Sequence, residues 1–323
     1  MADAVPRLSW AEAAWERAPT GPWPDAAEVR RRLARWSRLA AAPHVALAGG
    51  LRACTVRVGD VVARLAVAPD HDLGKEAAAH ARLAGLVRVP RVLDLDAEAR
   101  VMLLEFVAHE PLPATAEAGA AVGRVAAALH GLGFPTWGFF APGTPSGTAP
   151  ATLRPEPTHP TALEALLAWA DGALGGAAGA RLGPRLAAAV RRAWDDGHAA
   201  LARACASAAF VHGDFKPANL KWLPATREVL VLDLEFAWAG PALMDVGQLL
   251  RWEVPAAFVD AFAAAYVAGG GGLPDGWRRT ADLLDLFNVV GLLDHPGDLP
   301  VRDADLLARA RRTTGLASPA GGR

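Results

Sequence analysis

The apolar positions of the first 107 residues change period several times, and each change marks a predicted element. PDAAEVRRRLARWSRLAAA (24–42) carries a helical pattern, with Pro24 suited to a first-turn position. Two β-prone runs, Cys54 to Val58 and Val61 to Val67, flank Gly59-Asp60, and that pairing of runs and turn residues signals a hairpin. Gly74 to Leu86 is Ala-rich and helical, and VPRVLDL (89–95) and VMLLEF (101–106) read as strands joined by a turn. The expected order is strand, strand, helix, strand, strand.

Beyond this the pattern becomes mainly helical. HEPLPA (109–114) holds two prolines and reads as a linker, and Glu117 to Leu132 reads as an amphipathic helix. Residues 133–161 are dense in Pro, Gly and Thr, so Trp137, Phe139 and Phe140 are expected on irregular chain with no regular element to be buried in. Helices are expected near Ala162, over Leu186 to Ala206, Pro255 to Val267, Trp277 to Leu293 and Ala304 to Arg312, with a flexible turn at Gly269 to Gly272. The division that follows is a helical extension (1–45), a β-rich lobe (46–107), a mostly helical lobe (108–316) and a disordered tail (317–323).

Composition narrows the partners. Of 323 residues, 52% are hydrophobic and 21% charged, which is globular, and the net charge of -1 gives no reason to expect nucleic acid or an anionic membrane. The start, MADAVPRLSW, lacks a basic segment followed by an apolar core, and no apolar run reaches the roughly 18 residues of a membrane span. A cytoplasmic protein is expected. Cys54 and Cys205 read as buried free thiols, and His71, His80, His109, His130 and His198, scattered without metal-ligand spacing, read as structural or exposed.

The chemistry concentrates in VHGDFKPANL (211–220) and the following KWLPATREVLVLDLEFAWAGPALMDVG. Leu220 to Leu223 and Val229 to Leu232 should form a hairpin centred near Thr226, bringing Asn219 and Asp233 together at its open end. An amide oxygen beside a carboxylate suits Mg²⁺, which takes oxygen ligands and keeps waters and phosphates in its other positions. Asp214 is close enough in sequence to sit over the same site. Lys216, one of three lysines in the chain, can approach a phosphoryl group as a point charge.

This segment resembles the aminoglycoside phosphotransferase and choline kinase superfamily, whose pattern is H-G-D, four residues, N, then an apolar strand ending in D. The resemblance implies an α+β, protein-kinase-like two-lobed fold with a small β-rich N-lobe and a larger, mostly helical C-lobe. It also implies ATP and Mg²⁺ as cofactors and a small-molecule acceptor with a hydroxyl. On it, Asp214 is the base for the acceptor hydroxyl, Asn219 and Asp233 hold the metal, His212 braces the loop, and Asp245 in GPALMDVG pins it. Glu235 takes a weaker role, as a metal-shell or structural carboxylate.

In the first lobe, Gly49-Gly50 resembles the glycine-bearing turn over the ATP phosphates, and Glu105 lies where the hinge would meet adenine. Arg64 stands where protein kinases carry a phosphate-contacting lysine, with Glu76 as its partner, a departure that changes reach and geometry. WGFFAPGT resembles the loop after the first large-lobe helix in sugar-amine and antibiotic kinases, so Trp137, Phe139 and Phe140 are candidates for the acceptor site. Aminoglycoside-like antibiotics, sugars or sugar amines, and amino alcohols are all open as acceptors. A polycation would need an acidic wall, to which Asp260, Asp275, Asp282, Asp285 and Asp294 could contribute unless they form a solvated face. The alternative class is a nucleotide-binding pseudokinase or interaction module, opposed by the intact Asp214, Asn219 and Asp233.

Overall fold

The first sheet follows from strand alternation. In the computed structural model, which describes residues 15–16, 23–47, 52–141, 152–252 and 254–317, β1 (Val45–Leu47), β2 (Ala53–Val58), β3 (Val61–Ala66), β4 (Val92–Asp96) and β5 (Val101–Glu105) pair antiparallel in the order β1-β2-β3-β5-β4. Gly49 and Gly50 lie outside the described residues, as does the tail from 318. Val58 pairs with Val61 across Gly59-Asp60, and Gly59 takes φ 60°, the left-handed conformation such a turn needs.

One face of the sheet buries Cys54, Val56, Ala63 and Leu65 against Val29 and Leu33, contributed by or adjoining α1 (Ala26–Arg32), which α2 (Ser37–Ala41) follows. The other face buries Ala66, Met102 and Leu104 against Leu73 of α3 (Leu73–Leu83). Because side chains alternate along a strand, Arg64, between Ala63 and Leu65, turns to the α3 side. Pro24 precedes the cap rather than opening α1: the Asp25 carboxylate accepts from Ala27 N and Glu28 N at 2.9 and 2.8 Å.

The linker forms a short strand, β6 (Glu110–Pro111), and α4 (Ala116–His130) follows it. The loop expected after α4 holds regular structure instead. β7 (Gly133–Phe134), β8 (Gly138–Phe140) and β9 (Pro155–Glu156) join β10 (Ala208–Val211) and β13 (Trp238–Gly240) in a second sheet, ordered β7-β10-β13-β8-β9. This corrects the expectation for the aromatic trio. Trp137 and Phe140 are buried, Phe140 packing 5.1 Å from Phe134 and 5.9 Å from Phe210, whereas Phe139 is 63% exposed and stacks on Trp238 at 5.6 Å. Residues 142–151 of this loop lie outside the described set.

Helices α5 (Ala162–Gly175) and α6 (Ala177–Ala204) come next, α6 being broken at Gly183, before Pro184. The hairpin of β11 (Leu220–Leu223) and β12 (Glu228–Val231) takes β6 as its third strand. Four helices complete the lobe: α7 (Leu243–Leu250), α8 (Ala256–Ala268), α9 (Trp277–Leu293) and α10 (Pro300–Thr314). α4 and α8 meet backbone to backbone, since a Cβ on Gly119 or Gly123 would clash with the carbonyl oxygen of Phe258 or Phe262. Among the described residues no helix is long and apolar enough to cross a membrane.

The N-terminal extension touches both lobes. Trp15 Nε1 donates to Asp305 Oδ2 at 3.1 Å, and the Glu16 carboxylate accepts from Val301 N and Arg302 N at 2.8 and 3.0 Å, which caps α10. α1 then packs on the small-lobe sheet.

Candidate active site

The 212–215 backbone is held by two side chains from one helix. Asp245, fully buried in the first turn of α7, accepts from His212 N at 2.8 Å and Gly213 N at 3.0 Å, and His130 Nε2 lies 3.2 Å from its Oδ2. The far nitrogen of His130 sits 2.8 Å from the Tyr266 hydroxyl. Three residues on, and so on the same helix face, Gln248 accepts from Phe215 N at 2.7 Å and donates to Gly213 O at 2.6 Å. Gly213 takes φ 80°, and a Cβ there would meet Phe236 O at 2.3 Å, so no other residue suits this corner. His212 Nδ1 accepts from Asp214 N at 3.2 Å, so its Nε2 carries the proton and donates to Leu232 O at 2.9 Å.

Asp214 therefore projects from a fixed turn. Its Oδ2 accepts from Asn219 Nδ2 at 2.9 Å and lies 2.9 Å from Lys216 Nζ. Asn219 Nδ2 also donates to Asp214 O at 2.9 Å, which commits the amide nitrogen and turns the amide oxygen elsewhere.

The hairpin is shifted by one residue from the expected register. Leu220 pairs with Val231, so Asn219 lies opposite Leu232, whose N–H donates to Asn219 O at 2.9 Å, and Asp233 falls one position beyond. The reason is the turn: Glu228 joins β12, so the loop is one residue shorter than expected, with Arg227 at φ 59° and its N–H closing onto Leu223 O at 2.7 Å. Asp233 itself takes φ 64°, a sharp corner that turns its carboxylate out of the strand path.

There it meets Arg64. Arg64 Nη2 lies 2.5 Å from Asp233 Oδ1 and 3.3 Å from Glu235 Oε2, while Nε lies 3.2 Å from Glu76 Oε2 on α3. The Arg64–Glu76 pairing expected from sequence is present, but the guanidinium is shared with two large-lobe carboxylates. Burial opposes the charge on Glu76, yet Arg64 and His71 hold its carboxyl below the ordinary range. Asp233 is likewise held low against burial by Arg64. Glu235 is not: burial and the neighbouring Asp233 charge push it up to about 7. The cluster thus carries more negative charge than its arginine balances.

Glu105 ends β5 opposite Val61, and its carboxylate is engaged by Arg88 Nη2 at 3.0 Å. Phe106 N, the next backbone donor, bonds Asp60 O at 2.8 Å.

A family model described as "Phosphotransferase enzyme family" matches residues 43–283 of the chain. The chain belongs to that family. This phosphotransferase gives no match among curated proteins. Its fold is shared with a candidate fructosamine-3-kinase from Thermobifida fusca YX-ER1 (23% identity, 89% of this chain and 99% of that one, TM-score 0.62). A choline/ethanolamine kinase family protein from Mesorhizobium loti is similar at 23% identity, 90% and 94% coverage and TM-score 0.61. So is the GDP complex of an aminoglycoside 2'-phosphotransferase-IIIa, at 15% identity, 88% and 94% coverage and TM-score 0.62. Further structural neighbours of the phosphotransferase carry ADP or ATP. The protein-kinase-like fold, with an antiparallel sheet in the small lobe and a mainly helical large lobe, is that of the expectation.

Sequence reasoning missed Gln248, His130 and His71 in the phosphotransferase's site. The spacing of Asp245 and Gln248 on one helix was a usable signal; nothing local ties His71 to Glu235. Of the five acids considered for an acceptor wall, two are engaged elsewhere and a third makes only a loose surface pair. Asp285 forms a two-pronged pair with Arg251, Asp294 accepts from Ala177 N and Ala178 N at 3.0 and 3.3 Å, and Asp260 faces Arg278 at 3.8 Å.

Proposed function

We propose that the protein transfers the γ-phosphoryl group of ATP to a hydroxyl of a small molecule. The observation that carries this reading is the Asp214 carboxylate, fixed by Asn219 and Lys216 at 2.9 Å through one oxygen, beside the Asp233 corner. Asp214 accepts the acceptor's hydroxyl proton as that oxygen attacks the γ-phosphorus and the bond to the β–γ bridging oxygen breaks, releasing ADP. Lys216 and Arg64 offer positive charge to the phosphate oxygens, and the loop bonds from Asp245 and Gln248 keep Asp214 in line.

The residues present fit Mg²⁺. Asn219 has an amide oxygen left after its nitrogen bonds Asp214, and Asp233 supplies a carboxylate, with the Glu235 carboxyl sharing Arg64 beside it. Asn219 and Asp233 would hold the ion, which when bound neutralises charge on the ATP phosphates. Among the described residues no group of three or more His, Cys, Asp or Glu forms a metal cage, and a Mg²⁺ site shared with phosphates needs none.

Because Asp285 and Asp294 are already engaged, the acceptor is read as a neutral or weakly charged hydroxyl compound, such as a sugar, sugar amine or amino alcohol, rather than a polycation. A second reading, nucleotide binding without transfer, is favoured by one observation: Arg64 already occupies an Asp233 oxygen at 2.5 Å. Incubating the protein with γ-labelled ATP and a panel of antibiotics, sugars, sugar amines and amino alcohols tests both. Label transfer that Asp214→Asn abolishes supports the kinase; tight MgATP binding with no transfer to any compound supports the second reading.

A further inference from the structure

Two side chains at the start of α3 converge on one large-lobe residue. Lys75, in the first turn, donates from Nζ to the Glu235 carbonyl at 2.5 Å. His71, just before the Asp72 cap, lies 3.4 Å from Glu235 Oε2 through Nδ1 and 3.0 Å from Glu76 Oε2 through Nε2. The hydrogen bonds of His71 run to Glu76 Oε2 and, at 3.4 Å, to Arg52 O, so its approach to Glu235 Oε2 is a close polar contact that becomes an ion pair when the ring carries both protons. The His71 and Glu76 side chains are buried, which protects both contacts from water.

These contacts bear on a difficulty in the site. Arg64 is shared between Glu76 on α3 and Asp233 and Glu235 in the large lobe. If the Arg64 guanidinium turns to a nucleotide phosphate, it loosens its hold on Asp233, and its bridge between α3 and the large lobe weakens at the moment of use. His71 and Lys75 bridge the same two parts without using Arg64. We propose that His71 and Lys75 are positioning residues that fasten α3 to the 233–235 segment, so that Glu76 stays in place while Arg64 changes partner. The assignment of Arg64 to phosphate rests on the proposed function; the fastening itself does not.

The test is amide hydrogen exchange on the full chain without nucleotide, comparing wild type with Lys75→Met, Lys75→Arg and His71→Asn. Loss of the charged Lys75 hydrogen bond should speed exchange about tenfold or more, and loss of the weaker His71 contact by less. In Lys75→Met and His71→Asn that acceleration should appear both in α3 and at the distant 234–238 backbone, where Ala237 N donates to Leu234 O at 3.1 Å. Lys75→Arg should restore the wild-type rates. Acceleration confined to α3 would overturn the proposal, because a residue that merely stabilises its own helix would produce it. If Lys75→Met does not fold, His71→Asn decides alone. Kinetics supply a second arm, in which both variants should raise the MgATP KM about tenfold and leave the acceptor KM unchanged, and equal changes in the two would count against the assignment. Coupled exchange in a protein that transfers no phosphate would leave the fastening standing and remove the proposed function instead.

Discussion

Arg64 Nη2 rests 2.5 Å from Asp233 Oδ1, so the small lobe's cation touches the carboxylate proposed for the metal. Removing the guanidinium leaves the Asp233 carboxylate without its closest cation, beside Glu76 and Glu235, and breaking a buried pair from one side costs about 3–5 kcal/mol. Arg64→Ala should therefore unfold at markedly lower temperature than wild type in excess chelator, and millimolar Mg²⁺ alone should recover part of the loss. Its MgATP KM should rise. A thermal scan with and without Mg²⁺ checks the first outcome, and no rescue by the ion would place the metal elsewhere.

Asp214 and Asp233 should separate in their effects. Asp214→Asn keeps side-chain shape but cannot take a proton, so MgATP binding should persist while single-turnover transfer falls about 10² to 10⁴-fold. Asp233→Asn should weaken MgATP binding itself. Paired measurement of affinity and single-turnover rate distinguishes them, and equal loss of binding in both variants would contradict the division of roles.

Glu235 makes stability depend on pH in a defined window. Its folded pKa of about 7 lies above the ordinary 4.5, so between those values the folded chain binds more protons than the unfolded one, and the contribution to stability falls as pH rises through 7. His80, whose protonation burial disfavours below its ordinary 6.5, acts in the opposite direction, and Asp233 and Glu76 act only at lower pH. The difference between wild type and Glu235→Gln isolates the group. In metal-free buffer, wild type should lose stability relative to Glu235→Gln between pH 5 and 8 (about one to two units either side of the folded value). A pH-independent difference would mean that Glu235 titrates normally.

Trp137 and Phe139 should behave differently although they are two residues apart. Trp137 is buried, so Trp137→Ala should cost about 3–5 kcal/mol in denaturant unfolding. Phe139 is exposed and stacks on Trp238, so Phe139→Ala should leave stability nearly unchanged. If this loop shapes the acceptor site, Phe139→Ala raises acceptor KM and leaves ATP KM alone. Changes in ATP KM only would reassign the loop.

The small lobe was legible because its order depends on local signals. The Gly59-Asp60 turn acts over a few residues and its hairpin appears as expected, whereas β1, three residues paired with β2, was not expected. The helical pattern after 108 was legible for the same reason. The loop after α4 was not, because β7 and β8 are two or three residues long and form against β10 and β13, some 70 to 100 positions away, while β9 forms only against β8.

In the site, the sequence by itself determined which side chains are proposed for the chemistry: Asp214, Asn219 and Asp233 stand at spacings that a loop and one hairpin must bring together, with Asp245 close behind. Tertiary structure alone decided how they are held. The hairpin register moved by one because Glu228 joins β12 and shortens the loop, with Arg227 in a left-handed turn that no residue preference announces. The sharing of Arg64 among Glu76, Asp233 and Glu235 depends on two lobes meeting, as does the convergence of His71 and Lys75 on Glu235. Local pattern sets the direction of a side chain from its own strand or helix, but a buried charge takes the partners that long-range packing brings within 4 Å.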